Sequence, residues 1–202
     1  MSDKIDKIDI TDMCNSNEIN EWDVGNTQGV QLELEEVAKK DINSKEIKLK
    51  EKFMKEALKQ AQKAYEQLEV PVGAVIVKDG KIIARAYNQK EGKADTTNHA
   101  EILAIKKASK KLGSWRLLDC DMYVTLEPCS MCAGALIQSR IRKVYIGAMD
   151  MKTGACGSVL NLSKDYKFNH EVEVETGILR DECESILKRF FRDLRELKKK
   201  KK

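Results

Sequence analysis

Hydrophobic positions along the chain change period in an order that outlines the fold. Phe53, Met54, Ala57, Leu58, Ala61, Ala64, Tyr65 and Leu68 recur at steps of three and four, the period of an amphipathic helix. "VPVGAVIVKDGKIIARAYN" follows, two β-rich runs around Asp79-Gly80, which predicts a two-residue hairpin. The helical period returns after His99 through Leu103, Ala104, Ala108 and Leu112. "DMYVTL" (121–126) then predicts a buried strand, "CSMCAGALIQSRI" a helix and "KVYIGA" (143–148) another strand. Past the glycine-containing loop "MDMKTGACGS" come a short strand at "EVEVE" and a closing helix from about 181, carrying Ile186, Leu187, Phe190, Phe191 and Leu194. Strands alternating with helices after an initial hairpin predict one α/β domain around a mixed sheet. No repeat of solenoid length interrupts it.

Before residue 46 the pattern dissolves. Residues 1–45 are rich in Asp, Glu, Asn and Lys without a sustained period, which predicts a mostly disordered extension with a short helix around 31–40. Charge divides at the same place. The extension holds 11 acids and 5 bases, a net −6, whereas 46–202 hold 32 bases and 22 acids, a net +10. A basic body suits a polyanionic partner. The closing "KKKKK" (198–202) reads as a tail, solvated or in contact with phosphate alongside Arg189, Arg192 and Arg195. "MSDKIDKIDI" places charges where a secretory leader needs apolar residues, and no run is long enough to cross a bilayer, so a soluble cytoplasmic protein is expected.

In that reducing setting the six cysteines (14, 120, 129, 132, 156 and 183) are candidates for metal binding or redox chemistry before disulfides. Pro128 directly precedes "CSMC", so a helix can start there at its first turn. One turn then brings the Cys129 and Cys132 sulfurs to the same side, where the helix N-terminus favours thiolates that a cation must hold together. His99, at another predicted helix start, is the third candidate ligand. His170 lies in the polar loop "YKFNHEVE", and Cys120, Cys156 and Cys183 lack paired spacing, so no fourth ligand is evident. Three ligands with one open position characterise catalytic rather than structural zinc. Glu101, two residues after His99, is then placed to move protons to and from a water at such a centre. A lone histidine at a helix start is commonly a cap, and a lone C-x-x-C suits thioredoxin-like chemistry equally well. The joint pattern H-x-E followed by P-C-x-x-C is the signature of zinc-dependent base deaminases.

"VPVGAVIV", "AYN", "NHAEILAI", "LEPCSMCAGALIQSRI", "VYIGAMDMKTGACGS" and "GILRDECESILKRFFRDLR" together resemble the bacterial tRNA-specific adenosine deaminases over about 46–197. The resemblance implies a three-layer α/β/α sandwich of the cytidine deaminase-like kind, one zinc ion per subunit, a homodimer, and hydrolysis of adenosine to inosine at the wobble position of a tRNA anticodon loop. It assigns His99, Cys129 and Cys132 to zinc and Glu101 to proton transfer. It further assigns Asn88 to the extruded base, Pro71 and Val72 to the pocket wall, Asp150 to the sugar of a neighbouring nucleotide, and Phe190 and Phe191 to RNA contact. Adjacent helical residues diverge by about 100°, so one phenylalanine of the pair is expected in the core and the other free to stack. Three rivals remain: a deaminase of free guanine, cytosine or cytidine on the same scaffold, a non-catalytic zinc-stabilised RNA-binding module, and a redox C-x-x-C protein. The last leaves the His99–Glu101 pair unexplained.

Overall fold

The computed structural model describes residues 24–165 and 167–200, with side chains from 42 onward. Its elements, in chain order, are helix α1 (Val24–Glu66), strands β1 (Gly73–Lys78) and β2 (Lys81–Tyr87), a short helix α2 (Lys90–Lys93), helix α3 (Ala100–Leu112), strand β3 (Cys120–Leu126), helix α4 (Ser130–Gln138), strands β4 (Lys143–Ala148) and β5 (Glu173–Thr176), and helix α5 (Arg180–Lys200). The sheet order is β2-β1-β3-β4-β5. β1 pairs antiparallel with β2 and β3, while β3–β4 and β4–β5 are parallel, so the expected mixed sheet is present. Asp79 and Gly80 both have positive φ, as a tight two-residue hairpin requires.

Strand alternation sorts the core into two layers. Ala74, Ile76, Met122, Val124, Val144 and Ile146 pack against Ala100, Ala104 and Ala108 of α3 and Ala133, Leu136 and Ile137 of α4. Val75, Val77, Tyr123 and Tyr145 point to the opposite face, against Phe53, Met54 and Ala57 of α1 and Cys183 of α5. Helices thus cover both faces of the sheet, giving the three-layer α/β/α arrangement. Alanines on the inward stripe of α3 let that helix lie close to the strands. Gly73 does the same for α1, since a Cβ there would lie inside the Ala57 carbonyl and the Ala61 amide.

Three boundaries differ from the sequence reading. Glu46–Lys202 forms one compact unit and Met1–Lys45 another. Within the latter, residues 24–45 are helical where disorder was expected, in the same helix that holds the anticipated 31–40 turn. Leu, Glu, Ala and Lys are good helix formers, and extending an existing helix adds one hydrogen bond per residue fixed. Residues 1–23 lie outside the described residues. Lys198, Lys199 and Lys200 belong to the last turn of α5 rather than to a separate tail, a favourable place for cations. Pro128 precedes the cap instead of occupying the first turn: Cys129 is the N-cap of α4, and Ser130 opens the helix.

Sheet polarity decides where chemistry can gather. Gly73 pairs with Tyr87, Ala74 with Val124 and Leu126 with Ala148. The residues before β1 and after β2, β3 and β4 therefore meet at one end, outside the carboxyl ends of the parallel strands. That is the usual ligand site of such sheets.

Candidate active site

At that end His99 and Cys129 occupy equivalent positions. Each is the N-cap of its helix, with extended backbone (φ −74°, ψ 152° and φ −71°, ψ 174°), and neither uses its side chain to cap it. Freed from capping, the side chains turn toward each other. His99 Nδ1 lies 3.7 Å from Cys129 Sγ and 3.6 Å from Cys132 Sγ. One ligand atom from each of the three residues falls within 4.8 Å of the others, the only such group among the described residues. The other described cysteines are elsewhere: Cys120, Cys156 and Cys183 are buried, and burial pushes the thiols of Cys156 and Cys183 up to about 12. His170 is engaged with the Ile141 carbonyl at 2.7 Å. Among the described residues no fourth protein ligand joins the group, as the arrangement of a catalytic metal site requires.

Electrostatics around the cluster ask for a cation. The Cys132 thiol beside Cys129 holds the Cys129 thiol down at about 4, while Cys129 and burial push Cys132 far up. Two sulfurs this close share one negative charge between them unless positive charge sits among them. The Cys129 thiolate also raises the His99 imidazole above its ordinary value.

Glu101 stands in the first turn of α3, 3% exposed. Burial raises its carboxyl to about 7, and its Oε2 is the one buried side-chain polar atom among the described residues without a hydrogen-bond partner. An unpaired buried carboxyl oxygen costs free energy. Glu101 lines the same cavity as His99 and Cys129. The donor set and this orphaned oxygen together fit a hydrolytic metal centre.

These groups border a cavity of about 180 Å³. Pockets for drug-sized ligands run to roughly 300–1,000 Å³, so this one is on the scale of a single base. Val72, Asn88, His99, Glu101, Cys129 and Asp150 are among the residues that line it. Pro71 is buried but is not part of the wall, and Val70 is. Asn88 is 7% exposed, with Oδ1 accepting from the Ala100 amide at 2.9 Å, so it ties the end of β2 to the first residue of α3. Its remaining side-chain hydrogen-bonding group is a donor. Asp150 spends its carboxylate inside its own turn, accepting from the Lys152 amide (2.9 Å) and the Thr153 hydroxyl (2.6 Å).

The phenylalanine pair separates. Phe190 is 3% exposed and packs edge-on against Tyr65, so its assignment to RNA contact is corrected: it is a core residue. Phe191 is 42% exposed, beside Val70, Leu126, Asp150 and Thr153, residues that also border the cavity. Helical geometry allows only one of two neighbours to face inward, and the inward one is Phe190.

Sequence reasoning missed Lys90, Leu126, Thr153 and, above all, Glu127, all on the cavity wall. Glu127 is 3% exposed and accepts three backbone amides, from Asp150, Cys156 and Ser158. Its one signal was a glutamate directly before Pro128 at the end of an apolar strand.

Comparison with known proteins agrees with this geometry. The MafB19-like deaminase family model matches residues 49–195. The tRNA-specific adenosine deaminase of Bacillus subtilis is 52% identical over 149 residues, covering 74% of this chain and 92% of that protein. The Haemophilus influenzae protein of the same name is 48% identical over 150 residues, covering 74% of this chain and 87% of the relative. Among solved structures, one from a study of A-to-I editing by tRNA:A34 deaminases at the wobble position of transfer RNA superposes with a TM-score of 0.65 at 45% identity, covering 67% of this chain and 98% of that one. Guanine deaminase from Nitrosomonas europaea reaches a TM-score of 0.60 at 26% identity, over 69% of this chain and 83% of its own. The shared fold, the convergence of His99, Cys129 and Cys132 and these identities agree: the chain is a member of the tRNA-specific adenosine deaminases, enzymes within the MafB19-like deaminase family.

Proposed function

We propose that this chain hydrolyses adenosine to inosine at position 34 of a tRNA anticodon loop, with one zinc ion held by His99, Cys129 and Cys132 and with Glu101 as the proton carrier. The observation that carries the reading is the orphaned, buried Glu101 Oε2 beside three convergent metal donors in a cavity of single-base size. When bound, zinc supplies Lewis acidity that makes water a competent nucleophile near neutral pH.

The chain's own residues supply the rest. Buried beside the three donors with one oxygen unpaired, Glu101 is placed to take and return a proton. Glu101 accepts a proton as water attacks C6 of the adenine and delivers it to the ring nitrogen beside that carbon. It then passes the second proton of that water to the amine, which leaves as ammonia and balances the hydrolysis. Asn88 donates from its amide to an acceptor on the base, its carbonyl being held by Ala100. Val70, Val72 and Leu126 give the base an apolar surround that limits bulk water. Phe191 stacks on a nucleotide flanking the extruded one, and the cationic residues of α5 meet phosphates.

Relatives named tRNA-specific adenosine deaminase, together with the basic body, favour RNA over a free base. As the family resemblance implies, the proposal includes a homodimer, which sedimentation would test, and a cytoplasmic setting. No described helix is long and apolar enough to cross a membrane. The deciding experiment incubates the zinc-loaded protein with an adenosine-34 anticodon stem-loop and, separately, with guanine, cytosine and cytidine. Inosine in the RNA is the expected product. Turnover of a free base with unmodified RNA would replace the proposal by its rival.

A further inference from the structure

Glu127 performs no step in the reaction above, yet its carboxylate is buried among backbone amides at the edge of the cavity. Oε2 accepts from the Asp150 amide at 3.0 Å, and Oε1 accepts from the amides of Cys156 (2.9 Å) and Ser158 (3.1 Å). These three donors come from both ends of the loop between β4 and the Gly157 turn, so one side chain gathers the loop. Its own backbone is fixed in turn, with the Glu127 amide donating to the Ala148 carbonyl at 2.9 Å. The loop carries Asp150 and Thr153 on the cavity wall and reaches Phe191 outside it. Gly154 completes the cradle: a Cβ there would lie inside the Glu127 carboxylate and the Ser158 hydroxyl. Charge-assisted N–H···O bonds are about twice as strong as neutral ones, so this carboxylate adds to the hold that Ala155 and Cys156, buried in the core, already give the segment.

We propose that Glu127 is a positioning residue that sets loop 149–158 as one wall of the substrate cavity and thereby governs capture of the RNA rather than the chemical step. The proposal rests on reading the cavity as the site of RNA deamination. The loop meets the metal side through Ala155 N to Pro128 O at 2.9 Å and a β-bridge between Gly154 and Cys129, so metal loading is measured in every variant to separate the two roles.

Two substitutions grade the effect. Glu127→Gln keeps an oxygen for Cys156 and Ser158 but turns an NH₂ group toward the Asp150 amide, donor against donor. Glu127→Ala releases all three amides. Gly154→Ala pushes on the same contact from the loop side and serves where Glu127→Ala does not fold. The zinc-loaded full chain and each variant are compared by amide hydrogen exchange over 149–158, by zinc content, and by kcat and KM on the adenosine-34 stem-loop. The expected result is faster exchange at Asp150 alone in Glu127→Gln and across the loop in Glu127→Ala. KM should rise by about tenfold, kcat should change less, and zinc should stay at the parent level. Unchanged exchange in both Glu127 variants overturns the proposal, as does a loss of zinc or a fall in kcat with KM unmoved. Should the parent leave the stem-loop unmodified, the functional reading fails on that arm, while the exchange data still decide whether Glu127 holds the loop.

Discussion

Single side chains in this site are separated by what their atoms have left to bond. Cys129 and Cys132 converge with His99 as the one three-donor group among the described residues, so each is needed to complete it. Replacing either with Ala should drop zinc well below one per chain after mild chelation, measured by atomic absorption; full occupancy in both variants would remove these sulfurs from the ligand set. Glu101 is in the opposite position, with an oxygen unspoken for. Glu101→Gln is expected to keep its metal and lose at least about 10²-fold in kcat, the scale of general acid–base assistance. Undiminished turnover in that variant would end its proposed role. The phenylalanines differ by burial alone. Phe191→Ala should raise KM for the stem-loop by the roughly 1–3 kcal/mol of one stacked base while leaving the melting temperature near the parent's. Phe190→Ala should instead cost about 3–5 kcal/mol of stability, as an emptied aromatic core site does. Equal melting temperatures for the pair would contradict the placement of α5.

Elements show why part of this was readable and part was not. His99, Glu101, Cys129 and Cys132 are legible because each helix start presents its chemistry within three or four residues, and periodicity locates those starts. Glu127 is illegible for the opposite reason: its partners arrive 23 to 31 residues later, in a loop with no period of its own. Residues 24–45 were misread because helicity without an apolar stripe leaves no periodic trace. The close contact between α1 and β1 was likewise silent, since Gly73 in sequence looks like any strand-edge glycine. In the fold its missing Cβ is what admits the α1 backbone. Gly73→Ala is therefore expected to destabilise by about 3 kcal/mol, the upper range of overpacking, because helix backbone cannot step aside as a side chain can. Gly134 in the middle of α4 has open space where a Cβ would go. Gly134→Ala should stabilise by up to about 1 kcal/mol from helix propensity alone. Denaturant titration of the two variants checks both signs, and a tolerated alanine at 73 would mean that α1 does not pack as described.

At the scale of the whole molecule, charge is distributed unevenly in a way that bears on an RNA substrate. The relatives are matched over about nine-tenths of their length by about 150 residues, so they consist of little more than the body. Residues 1–45 are an addition of net −6 to a body of net +10. Phosphate binding by such a body is driven largely by counterion release, and any negative charge tethered to it lowers the potential that the RNA meets. Deleting residues 1–45 should therefore lower KM for the stem-loop severalfold at about 0.05 M salt and leave kcat and zinc content where they were. The advantage should shrink as salt rises, since exposed charges more than about 10 Å apart are screened at 0.1 M. KM measured for both chains across a salt series decides the matter. A deletion that raises KM at low salt would mean that the extension helps to hold RNA despite its sign, and a salt-independent difference would assign its effect to contacts other than charge.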